Sequence, residues 1–350
     1  MENRVVKLVF TSILVMLVSC DEPETVVTNI VHPDGSITRK IEMRKQDNKF
    51  SITDIQVPLD STWIITDSCE INQKGDTTWI MRAEKTFRNV EEINLSYKSD
   101  TGCNSYLLRY ASFNKRFRWF NTIYRFSETI EKRFKYAYPA GDFLNKEELL
   151  WFYSPAEYNE ARLKGPDSLK YKSFSDSLEK RKDEWFYRSV TAEWIGEFSD
   201  QLDRNPGDGL CFDSLRKKED LIVNILRTQG HDFDNRWKSG HILKEILGEA
   251  NALKYRAEAD TALEIIEDRF PEYFAQYSVK ISMPGELISS NGFVDSSHIL
   301  VWPVIDEYFF AEDYEMHAES RKPNPWAWFV SAVFILFVLT GIVIRRIKKG

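Results

Sequence analysis

Glu315, His317 and Glu319 place two carboxylates and an imidazole at alternate positions of one short segment. On a strand, alternation puts all three on one face, where oxygen and nitrogen donors at i, i+2 and i+4 could ligate a metal. The same charge pattern is what an edge strand carries to deter pairing with other chains, and both readings stand. His231, Asp232, Asp234 and His241 form a looser set around a helix start, where aspartates cap helices without any metal. Sequences that mark well-known chemistry are missing: there is no Gly-x-Ser-x-Gly elbow, His-Glu-x-x-His, Walker loop or Cys-x-x-Cys. Gly207-Asp208-Gly209 lacks the third glycine of a dinucleotide fingerprint and reads as an interhelix turn. No catalytic or cofactor-binding residue is therefore assigned, and no cofactor is expected.

Aromatic residues form a second group. Phe117, Trp119, Phe120, Tyr124 and Phe126 crowd one stretch, and Trp302, Tyr308, Phe309, Phe310 and Tyr314 another. They either build the core or line an apolar pocket or a protein-binding patch.

The ends of the chain carry the strongest signals. Arg4 and Lys7 precede the largely apolar run 8–18; at ~1.5 Å per residue this run is too short for the ~30 Å hydrocarbon core and reads as the h-region of a signal peptide, residues 1–19. Leu17-Val18-Ser19-Cys20 follows, and it resembles the lipobox of bacterial lipoproteins. That resemblance implies cleavage before Cys20 and attachment of a lipid to its sulfur. At the other end, residues 326–344 hold no charge and at ~1.5 Å per residue extend about 28 Å, enough to cross a bilayer. Trp326 and Trp328 are the interfacial anchors at one side; Arg345, Arg346, Lys348 and Lys349 place the tail, residues 345–350, in the cytoplasm. The expected location is the bacterial cytoplasmic membrane, with a lipid at Cys20, a single C-terminal span, and residues 21–322 outside. Between body and span stands only Arg321-Lys322-Pro323-Asn324-Pro325, a stiff link of about 15 Å at ~3.1 Å per residue. The late strands should therefore sit against the headgroups.

Composition agrees with an anchored soluble body. A mean hydropathy of −0.41 excludes a polytopic membrane protein, while 43% hydrophobic and 14% aromatic residues suffice to offset the entropy of folding. The chain nets −7; leaving out the first twenty residues (net +1) and the four C-terminal cations gives −12 for residues 21–344. Such a body argues against nucleic acid as a partner, and against lying flat on anionic lipid. In an oxidising compartment Cys69 and Cys103, both at strand ends of one β-rich region, are the candidate disulfide, leaving Cys211 as a buried small hydrophobe.

The elements that position these residues read as strands, then helices, then strands. Ile37, Ile41 and Met43 alternate with polar neighbours, as do Trp79, Met81 and Ala83, and Ile93, Leu95 and Tyr97. Stretches 106–113 and 116–127 suggest a hairpin turning near Asn114-Lys115. Ser154-Pro155-Ala156-Glu157 has a capping-box form, and residues 175–203, 211–228 and 241–270 are helical. Tyr277, Val279 and Ile281 resume alternation, with further strands at 299–302 and 314–318. So few late strands cannot easily bury a face alone. The expected class is α+β: N- and C-terminal strands (20–129 and 276–322) forming a shared antiparallel sheet, a large helical insertion (130–275), and one C-terminal transmembrane helix.

Met283-Pro284-Gly285-Glu286, Asn291-Gly292 and Val301-Trp302, followed by a single span and a basic tail, resemble the membrane-proximal region of LppM-like bacterial lipoproteins. This resemblance covers roughly 70 residues and implies a mixed α/β module that binds or moves lipid. The functional expectation is a binding or interaction module at the cell envelope, with membrane lipid or another envelope protein as partner. The alternative is an envelope hydrolase whose site is assembled from dispersed carboxylates and histidines.

Overall fold

The computed structural model describes residues 24–50, 55–73, 75–102, 104–204, 212–229, 232–270, 274, 276–295 and 299–348. Cys20, Cys103, Cys211 and His231 lie outside these residues, as does the signal segment. The class is α+β, and early and late strands do pair. Among the described residues they form two sheets rather than one. The larger runs β3 (Ile64–Ile71), β4 (Thr77–Phe87), β2 (Ile37–Lys45), β1 (Glu24–Val31), β7 (Tyr277–Ser282), β10 (Leu300–Val304), β9 (Phe293–Val294). The smaller runs β5 (Arg109–Arg118), β6 (Asn121–Ile130), β11 (Tyr314–Pro323), β8 (Glu286–Ser290). The expected antiparallel pairing holds except between β1 and β7, which are parallel, with Val27 opposite Val279. A parallel junction needs a long crossover, and the helical insertion lies within it.

Alternation places Ile37, Ile41 and Met43 inward, each at most 1% exposed. Two sequence expectations are corrected. Ile93, Leu95 and Tyr97 belong to helix α1 (Val90–Lys98), not a strand. Asn89 caps it by accepting from the Glu92 N–H (3.1 Å), and Glu92 reaches back to the Arg88 N–H (2.9 Å). Ile93 and Tyr97, four apart, face the core while Leu95 is 64% exposed. Asn94 of this helix exchanges side-chain hydrogen bonds with both backbone groups of Ala111, covering the open edge at β5. The second correction moves the hairpin turn from Asn114-Lys115 to Trp119-Phe120, so that Arg118 pairs with Asn121.

Helices α2 (Lys146–Phe152), α3 (Ala156–Leu163), α4 (Ser168–Arg204), α5 (Phe212–Arg216), α6 (Glu219–Gln229), α7 (Phe233–Lys238), α8 (His241–Leu247), α9 (Glu249–Lys254) and α10 (Arg256–Arg269) follow β6. The capping box forms at Asn145 and Glu148 at the start of α2. Ser154 instead bonds Asn159 and the Trp151 carbonyl, leaving Pro155 to begin α3 without a side-chain cap. Helix α4 is amphipathic only at first; from Ser189 to Ser199 every residue is buried. Its Glu193 accepts hydrogen bonds from the Lys135 (2.9 Å) and Ala137 (3.1 Å) N–H groups, fastening the chain that leaves β6. Gly196 lets Tyr136 lie flat on the helix, because a Cβ there would meet the ring at 2.1 Å. Phe134, Phe152, Trp185, Phe270, Tyr308 and Phe310 then join helices and strands in one continuous core.

Within this core a buried ionic cluster joins the two sheets. Arg39 of β2 donates to Glu128 of β6 (2.8 Å), to Asn29 of β1 (2.8 Å) and to the Tyr97 hydroxyl (2.7 Å). Tyr97 in turn donates to the other Glu128 oxygen. Arg39 and Glu128 are each 2% exposed. Burial pulls the Arg39 pKa down, but Glu128 and Tyr97 outweigh it and hold the guanidinium charged. Arg109 also lies over the Tyr97 ring, 4.4 Å from its centroid. One guanidinium therefore spans both sheets and α1. Removing one partner strands the other charge in the interior, which costs about 3–5 kcal/mol. Arg39→Leu and Glu128→Leu should each lower unfolding free energy by about that amount in detergent, and the double variant should recover part of it. Single-variant losses below about 1 kcal/mol would contradict the assignment.

Candidate membrane-docking site

Strand β11 ends at Pro323, and helix α11 (Pro325–Ile347) begins two residues later. The helix has 23 residues, and within it an 18-residue stretch of mean hydropathy 2.6 is almost wholly unburied, long and apolar enough to cross a membrane. Asn324 is thus the whole connection, and its polar groups are taken up by the β5–β6 hairpin and the helix. Its N–H donates to the Phe120 carbonyl (2.9 Å), and its side-chain amide donates to the Arg118 (2.9 Å) and Trp119 (3.3 Å) carbonyls. Its side-chain oxygen accepts from Thr122 (3.1 Å), and its carbonyl accepts from Ala327 (3.0 Å).

The hairpin tip is aromatic and lies along the first turns of α11. Trp119 Nε1 donates to Ser331 Oγ at 2.8 Å, about 9 Å along the helix from its start at ~1.5 Å per residue. Phe120 packs on Trp328 with ring centroids 4.4 Å apart, and Trp119 and Phe117 pack on Trp326 at 5.3 and 6.2 Å. These rings are packed and still open: Phe117 is 56% and Trp119 47% exposed. An indole or phenyl ring with one side against protein and the other free suits a water–hydrocarbon boundary. Three kinds of interaction tie this foot to the helix: the Asn324 hydrogen bonds, the Trp119–Ser331 hydrogen bond and the ring contacts.

The aromatic residues flagged in the sequence divide sharply. Tyr124, Phe126, Trp302, Tyr308, Phe309, Phe310 and Tyr314 are core, each at most 7% exposed. Phe117, Trp119 and Phe120 make the foot. Glu315, His317 and Glu319 do share one face of β11, paired along its length with β6; β8 covers the other side only from Ala318 to Arg321, so Glu319 lies inside the sheet while Glu315 and His317 lie beyond the β8 ladder. Glu315 lies 3.5 Å from Arg125 and 3.9 Å from His317 Nδ1. Among the described residues no group of three or more His, Cys, Asp or Glu is placed to hold a metal. Cys69 is exposed on β3, in register with Trp79, and its proposed bridge partner Cys103 falls outside the described residues.

Sequence reasoning did not reach a polar cleft of about 120 Å³ lined by Asp60, Ser96, Ser99 and Asp100. Both of its carboxylates are engaged: Asp60 with Lys85 Nζ (2.6 Å) and Thr62, and Asp100 with Arg109 (2.5 Å). No family model matches the chain, and no significant match was found among curated proteins or solved structures.

Lys85 and Thr62 hold the Asp60 carboxyl at about 2. A depressed folded-state pKa contributes stability above the ordinary value of 3.8 that is lost as pH falls through about 2. Asp60 is 49% exposed, so solvent limits the amount to under about 1 kcal/mol. Asp60→Asn should flatten the fall in stability between pH 4 and 2 in denaturant titrations; an unchanged acid limb would contradict this.

Proposed function

We propose that the chain is a membrane-anchored extracytoplasmic lipoprotein serving as a binding or interaction module at the cell envelope. In this reading a lipid on Cys20 and the span α11 hold it in the bacterial cytoplasmic membrane, and membrane lipid or an envelope protein is its partner. The observation that carries the reading is the aromatic foot. A body free to tumble above its span would need no hairpin locked to the first turns of the helix; this one presents Phe117, Trp119 and Phe120 beside Trp326 and Trp328. Any surface built on β5, β6, β8 and β11 then faces lipid or a neighbouring membrane protein. The hydrolase alternative gains no support from the cleft, whose two carboxylates are each tied to a cation.

Two measurements on the full-length protein test this. In vesicles, a fluorophore at Lys322→Cys should be quenched strongly by lipids spin-labelled at the headgroup, and one at the remote Asp47→Cys should not. Equal, weak quenching at both sites would overturn the stance. Cys20→Ser should abolish lipid labelling yet leave the protein in the membrane fraction through α11; a soluble variant would contradict the span.

A further inference from the structure

Strand alternation gives the small sheet two unlike faces. Tyr124, Phe126, Ala318 and Ser320 face the core, each at most 4% exposed. The register puts the opposite face in rows: Arg125 beside Glu319, then Arg116 beside Ile123 and Arg321, then Arg118 beside Asn121 and Pro323. The last row adjoins Asn324 and the start of α11. Moving toward the helix, the face thus becomes cationic.

Its arginines are not equivalent. Arg321 is neutralised by Glu286 at 2.9 Å, and Arg125 has Glu315 at 3.5 Å. Lys115, on the core-facing side of the same strand, donates to the Pro33 carbonyl (2.8 Å). Arg116 and Arg118 are exposed, and neither makes an ion pair among the described residues. They are two residues apart on one face, about 7 Å at ~3.4 Å per residue, and occupy the two rows nearest the helix. An unpaired cation is ordinary on a surface. Two of them stand on an otherwise acidic body, level with the start of an apolar helix.

We propose that Arg116 and Arg118 bind the headgroups of anionic phospholipids in the leaflet that α11 enters. This rests on the reading that α11 spans the bilayer. With Trp326 and Trp328 at the interface, the guanidinium groups fall in the headgroup layer, where their planar forks pair with phosphate oxygens and their stems lie along apolar surface. The body's net charge of −12 is repelled by the same lipids, so the two effects together hold the body upright on its foot rather than flat.

The test uses full-length protein in mixed phosphatidylcholine and phosphatidylglycerol vesicles, with each lipid in turn spin-labelled and its protein-associated fraction measured by electron paramagnetic resonance. The basic C-terminal tail adds a background that the variants leave unchanged. The wild-type chain should prefer phosphatidylglycerol, and Arg116→Gln with Arg118→Gln should lower that preference roughly tenfold at low salt. The Arg116→Lys, Arg118→Lys chain should keep most of it, and salt should erode it in both. Equal preference in the wild-type and glutamine chains would overturn the proposal. Quenching at position 322 in the same samples separates the two ideas. An intact stance with no change in lipid preference overturns only the arginine site, whereas a lost stance overturns the upright placement on which that site depends, and a chain absent from the membrane fraction overturns the spanning reading itself.

Discussion

The relation between the folded body and its apolar helix is governed by a joint one residue long. Because β11 runs to Pro323 and α11 starts at Pro325, the sheet and the helix cannot separate without breaking what surrounds Asn324. Proline on either side restricts the backbone, and five hydrogen bonds to Asn324 occupy groups that would otherwise need water. In the proposed placement Asn324 lies at a hydrocarbon boundary, where water is scarce and those bonds would be worth more than on a wet surface. The same logic explains Trp119, whose N–H finds Ser331 instead of solvent. The foot, the cationic rows above it and the proposed stance all follow from that short connection.

A fixed foot is useful only if the body above it is stiff. The small sheet carries the foot and, through β6, leads into the helical insertion, while the large sheet takes the chain back at β7. Arg39 and Glu128 clamp the two sheets at a point where neither charge reaches water. An apolar pair could pack there with similar stability, yet it would not fix direction, since only a hydrogen-bonded guanidinium demands Asn29, Tyr97 and Glu128 together. Glu193 does a comparable task in the helical half by holding three successive backbone N–H groups after β6.

Much of this was legible in the sequence. The charge-free run and its basic end marked α11, and period-two alternation found β1's partners, including the return of the chain at Tyr277. What escaped had physical reasons. Ile93 and Tyr97 fit both a strand face and a helix face because Leu95 between them is also apolar, and the deciding signal was Asn89 with Glu92 three residues on. The hairpin turn carries no glycine, asparagine or proline; Trp119 and Phe120 turn because Asn324 and α11 hold them, a tertiary cause that no local pattern shows. Arg39 did leave a trace, as a charge standing in the inward slot between Ile37 and Ile41. Its partner Glu128 lies 89 residues away, beyond any spacing rule.

The central claim is that body and helix move as one through Asn324. Double electron–electron resonance between spin labels at Ser112→Cys and Val343→Cys, on the full-length chain in lipid nanodiscs, measures this directly. A single narrow distance distribution is expected, broadening markedly when Asn324→Gly removes the side-chain bonds to Arg118, Trp119 and Thr122. A broad distribution in the unmodified joint, or one that Asn324→Gly leaves unchanged, would contradict it.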